Sequence, residues 1–145
     1  MTVMRIIKFR GQRLNGREWI ESMTISNGTI KRKSRNVYFE LGDNKWTEIN
    51  PDTVGQFTGL LDRHGKEIYE GDVVMWGHAN EYSRENPIRK AVVKLFPALH
   101  FETFTKTEFG CPHELHYGNF AYKDTHKHLE IIGNIHDNPE ILKAQ

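Results

Sequence analysis

Short apolar runs alternate with polar positions along most of the chain, and clusters of Gly, Asn, Asp and Pro cut them apart. Such runs read as β-strands, because branched and aromatic side chains suit a pleated, half-buried surface. Thr24-Ile25-Ser26-Asn27-Gly28-Thr29-Ile30 places Asn-Gly between two β-prone arms. Asn-Gly supplies the two left-handed residues of a type I′ turn, so a hairpin is predicted there, with Lys31 to Arg35 on its returning arm. Asn36 to Leu41 forms the next run and is closed by Gly42-Asp43-Asn44. Lys45 to Ile49 follows and stops at Pro51.

The second half repeats the pattern. Gln56 to Leu60 is followed by a turn at Asp62-Arg63-His64-Gly65, then by Lys66 to Tyr69. Glu70-Gly71-Asp72 is a further tight turn before the apolar strand Val73 to Trp76. Residues 77–88 are polar and end in Asn86-Pro87, which reads as a loop. Ala91 to Phe96 and Leu129 to Ile132 are strands, and residues 105–126, broken by Gly110, Pro112 and Gly118, form a long loop or an irregular hairpin. Helical chemistry is confined to the C-terminal end, where Asn138 suits an N-cap and Pro139 the first helical position. Many short strands with turns about every 8–12 residues predict an all-β fold, a small barrel or roll with a short C-terminal helical turn. Trp19, Trp46 and Trp76 are expected in or beside its core. The strands Val73 to Trp76 and Ala91 to Phe96 carry more apolar surface than one barrel is expected to bury, and any surplus would mark an interface.

Composition narrows this picture without changing it. The chain has 145 residues, 37% of them hydrophobic and 27% charged, with a formal charge of +1. Those values exclude a collagen, a coiled coil and a wholly disordered chain. No stretch approaches the roughly 18 apolar residues of a membrane span. Arg5 and Lys8 interrupt the apolar residues of the first ten, so no signal peptide is predicted. The lone cysteine, Cys111, allows no internal disulfide. Together these point to the cytoplasm. The charge is uneven: residues 1–56 hold 10 Lys+Arg against 6 Asp+Glu, and the densest basic run is Lys31-Arg32-Lys33-Ser34-Arg35.

Three segments resemble the YopX family of phage and prophage proteins. They are Arg5 to Arg10; Phe57-Thr58-Gly59-Leu60 and Asp62 with Gly65 to Val74; and Ile132-Gly133-Asn134-Ile135-His136-Asp137-Asn138-Pro139-Glu140. The resemblance implies a phage or prophage origin and a β-rich N-terminal part, residues 1–56. It further implies a C-terminal SH3-like barrel, residues 57–145, with long loops at 77–88 and 105–126. It carries over no catalytic residue. After Arg10 the chain continues Gly11-Gln12-Arg13, where comparable members continue with a Trp-Asp pair. In physical terms the matched residues are fold determinants: Gly59, Gly65 and Gly71 suit turns, and Asp62 and Asp72 can accept backbone N–H bonds.

Two clusters carry candidate chemistry. Lys31, Arg32, Lys33 and Arg35, beside Tyr38 and Trp46, could neutralise phosphate and stack bases, although charged residues also decorate exposed edge strands. Cys111, His113 and His116, with His126 and His128, could supply ligands to zinc, although the spacing matches no standard finger and no H-E-x-x-H helix. The sequence holds no P-loop, G-x-G-x-x-G or G-x-S-x-G. The expectation is a non-enzyme without a cofactor that binds a protein partner or itself. Nucleic-acid binding is the second reading and metal binding the third.

Overall fold

The computed structural model describes residues 6–26, 36–76, 89–95, 98–103, 114–116 and 129–142. The described secondary structure is almost entirely antiparallel β, as the turn spacing predicts, and the chain divides into two units, Met1–Gly59 and Leu60–Gln145.

In the first unit β1 (Phe9–Gln12) lies between β2 (Trp19–Ser22) and the start of β6 (Gly55–Leu61). A second sheet has the order β3 (Ile25–Ser26), β4 (Val37–Gly42), β5 (Lys45–Ile49). Asp43 and Asn44 form the β4–β5 turn with φ of 50° and 59°, the left-handed pair that a type I′ hairpin needs. Val37, Phe39 and Ile49 make the core, covered by Phe9, Ile20, Ile25 and Val54. An Arg13–Ile49 bridge brings the end of β1 against β5. At that crossing Gly11 is buried: a Cβ there would run into Ile49 Cγ2 and lie 3.4 Å from the Phe39 ring.

Thr53 locks the same corner. Pro51–Thr53 is a one-turn 3-10 helix capped by Asn50, whose side chain accepts from the Asp52 N–H. The turn delivers Thr53 Oγ1 to the Gln12 N–H at 2.8 Å, and the same hydroxyl donates to the Asn50 carbonyl at 2.7 Å. A buried backbone donor in β1 is thereby satisfied from a loop 41 residues away.

The second unit is built on a five-stranded sheet in the order β11 (Glu114–His116), β10 (His100–Thr103), β9 (Arg89–Lys94), β8 (Asp72–Trp76), β12 (Glu130–Asn134). β7 (Glu67–Tyr69) folds back on the end of β6. Ile68, Val74, Ala91, Val93, Phe101 and Leu129 are fully buried and form the core, with Leu60, Trp76, Leu99 and Ile131 against it. The described ladders give an open strand order, and the SH3-like barrel stays an expectation from the resemblance.

Several readings are refined or corrected. Val73, Val74 and Ala91 to Val93 are buried, whereas Met75, Trp76 and Leu95 are partly exposed and Phe96 lies outside the described residues. Within residues 105–126, read from the sequence as a long loop or an irregular hairpin, Glu114–His116 form β11 and pair with β10. Trp46 is 43% exposed rather than in the core. Ile49 takes the core face of β5, and a residue three positions away must face the other side.

Candidate functional site

The two clusters singled out from the sequence fall largely outside the described residues. Lys31, Arg32, Lys33 and Arg35 lie outside them, as do Cys111, His113, His126 and His128. Of the nine, His116 alone has a described backbone, ending β11 opposite His100. His100 is buried, with Nδ1 2.8 Å from the Ala98 carbonyl oxygen. Among the described residues no group of three or more His, Cys, Asp or Glu side chains could hold a metal ion.

The family-like segments of the second unit converge on one knot. Asp62 Oδ1 accepts from the His64 and Lys66 N–H groups, both at 2.9 Å, and Oδ2 accepts from the Ile131 N–H at 3.2 Å. The carboxylate therefore closes its own turn and pins β12 to it. Burial pushes the Asp62 pKa up, but the backbone donors from Lys66, Ile131 and His64 outweigh it, and the net shift is downward. Asp72 Oδ2 accepts from the Tyr69 N–H at 2.8 Å, closing the next turn. The Gly71 carbonyl accepts from Ile135 N–H, and Gly133 stands opposite Val73. A Cβ on Gly133, whose φ is 158°, would meet Asn138 Oδ1 at 2.6 Å and Ile141 Cδ1 at 2.8 Å, so glycine lets the C-terminal turn lie close against β12. That turn, Pro139–Leu142, is a 3-10 helix. The Asn138 carbonyl accepts from the Ile141 N–H, while its side-chain oxygen turns back to the Asn134 N–H at 3.3 Å. Asp62, Asp72 and Asn138 are each engaged with backbone, as fold determinants are.

Beside the knot, Arg63 pairs with Glu130 at 3.1 Å, and Arg63 Nε–H donates to His64 Nε2, also at 3.1 Å. Arg63 is half exposed, so the pair contributes little to stability.

The first unit presents a different surface. Tyr38 stands directly opposite Glu48 and Glu40 directly opposite Trp46 on the β4–β5 ladder. Direct cross-strand partners share a face, so all four side chains project from the side of the sheet away from Phe39 and Ile49. The aromatic rings occupy one diagonal and the carboxylates the other. Leu14, 49% exposed, lies beside β5, where its N–H donates to the Glu48 carbonyl. The sequence reading placed Tyr38 and Trp46 beside the basic run but missed the two glutamates, because only the register shows that they stand between the rings. Elsewhere in the unit Arg10 lies over the Trp19 ring at 4.8 Å, with Glu21 opposite Arg10 on β2.

No helix among the described residues is long and apolar enough to cross a membrane. None of the curated proteins compared matches the chain. Among solved structures, the chain is similar to protein EF1440 from Enterococcus faecalis, at 25% identity over 94% of this chain and 98% of that one, with a TM-score of 0.49. The family model described as YopX protein matches residues 8–143, nearly the whole length, and the chain belongs to the YopX family.

Proposed function

We propose that this chain is a phage- or prophage-encoded accessory protein of the bacterial cytoplasm, non-catalytic, that works by binding a protein partner or a second copy of itself. The observation that supports this reading is the apolar surface of the first unit. Met23 is 69% exposed, and Leu14, Leu41 and Trp46 are each more than two-fifths exposed. The same unit buries Phe39 and Ile49 completely, so these side chains lie on its surface although a well-filled core is available. Large apolar side chains left on the surface of a unit with a filled core are what a protein-binding reading accounts for.

Native mass spectrometry of the untagged protein at low salt tests the proposal. A homo-oligomer, or a discrete complex with a host protein, supports it; a strict monomer that captures nothing counts against it. Adding mixed DNA and RNA oligonucleotides tests the reading built on Lys31, Arg32, Lys33 and Arg35, which predicts an adduct that disappears steeply with salt. A bound metal would show by mass and point to Cys111, His113, His116, His126 and His128.

A further inference from the structure

We infer that the outer face of β4 and β5 is a docking site for an arginine-bearing segment of a protein partner. The inference rests on the protein-binding reading above and deepens it by naming the chemistry of the partner. The carrying observation is a checkerboard: Tyr38 and Trp46 on one diagonal, Glu40 and Glu48 on the other. Diagonal neighbours on such a ladder lie roughly 7–8 Å apart, close enough for one guanidinium to reach both carboxylates. Like charges set that close repel one another, and a cation between them relieves the repulsion. Among the described residues neither Glu40 nor Glu48 has an ion-pair partner.

A guanidinium suits this face better than other ligands. Its plane stacks on an indole or phenol ring while its N–H groups reach carboxylate oxygens in the same plane. The chain already stacks a guanidinium on an indole once, where Arg10 lies over Trp19 at 4.8 Å. There the cation comes from the chain itself. On β4 and β5 the ring of Trp46 is exposed and the carboxylates are half-exposed. The carboxylates repel phosphate, so the same face disfavours a nucleic-acid backbone.

The test is titration of the full chain with a short Arg-Gly repeat peptide, followed by calorimetry and by the indole resonance of Trp46. Saturable binding that shifts this resonance and weakens with salt is expected. E40Q/E48Q keeps shape and hydrogen bonding but removes both charges, and it should weaken binding by on the order of tenfold. W46L should weaken it by about three- to tenfold and abolish any preference for arginine over lysine peptides. Both substitutions lie on an exposed face and should leave the urea midpoint nearly unchanged, so lost binding cannot be put down to unfolding. Binding that survives E40Q/E48Q, or no binding at all, overturns the inference; an oligomer or host complex in native mass spectrometry would still leave the broader proposal standing. Tighter binding of duplex DNA than of the peptide overturns it in favour of nucleic acid. Peptide binding that appears only in K31Q/R32Q/K33Q/R35Q also overturns it, by making the chain's own basic run the occupant.

Discussion

Alanine at Gly11 is the sharpest probe of the first core. The position is buried in β1, directly opposite Ile20, and its Cβ would run into Ile49 Cγ2 with the Phe39 ring at 3.4 Å. Both neighbours are fully buried. Forcing a methyl into a filled core costs about 1–3 kcal/mol. Against that, replacing glycine restricts the unfolded chain and returns about 0.4–1 kcal/mol where the backbone is compatible, as in this strand. The balance is a loss of about 1.5 kcal/mol, which lowers a urea midpoint by roughly 0.7 M at a slope near 2 kcal/mol/M. The transition is followed by far-ultraviolet circular dichroism and by exchange of the Phe39 amide, which reports the first unit. Ile49→Leu removes the Cγ2 branch, so the alanine should cost about 1 kcal/mol less in that background than in the parent. An unchanged or raised midpoint for G11A, or an equal cost in both backgrounds, would falsify the packing argument.

Asp62→Ala strands the N–H groups of His64, Lys66 and Ile131 and should destabilise the chain by about 1–3 kcal/mol, measured by thermal melting. The pH dependence has a definite sign. The folded pKa of Asp62 lies below its unfolded value near 3.8, so its contribution is full above that value and is lost as pH falls through the lower, folded one. D62N should therefore flatten the acid limb of the stability profile, and an unaltered limb would contradict the assignment. Arg63→Ala, by contrast, should change stability by less than about 0.5 kcal/mol, because the Glu130 pair is half exposed; a larger loss on melting would show that the pair matters more than its exposure allows. Thr53→Val keeps the shape but removes the acceptor for the Gln12 N–H, and should cost about 1–3 kcal/mol with faster amide exchange at Gln12. Gly133→Ala should mainly loosen the C-terminal turn, because the atoms it meets are the ends of two side chains; amide exchange at Ile141 should rise well before the global midpoint falls.

Much of this architecture was legible in local chemistry. Asp43-Asn44 can adopt the left-handed pair of a hairpin turn at little cost, and it does. Asp62 accepts from the N–H two residues on, an Asx turn that short-range spacing predicts, and Asp72 reaches back three residues to the Tyr69 N–H. The apolar runs at 73–76 and 91–95 mark strands whatever they pack against, because burial on both faces needs only continuous hydrophobicity. β1, β2 and β10 were harder to see, since each mixes charged or polar residues with one or two apolar ones.

The remaining features depend on which residues meet, and periodicity carries no such information. The reach of Asp62 to Ile131 spans 69 positions, and nothing near either residue announces it. Gly11 looks like a loop glycine in a run with Gln12 and Arg13, yet it is required because β5 crosses it at Ile49. Trp46 reads as core by composition and lies on the surface because Ile49 already faces inward three positions along. Glu40 and Glu48 are eight residues apart on two strands, and only the β4–β5 register sets them between two aromatic rings. Residue chemistry determined where this chain turns and which stretches extend. Pairing across strands decided which faces are buried and which are left exposed, because a one-residue shift in register exchanges one face of a strand for the other.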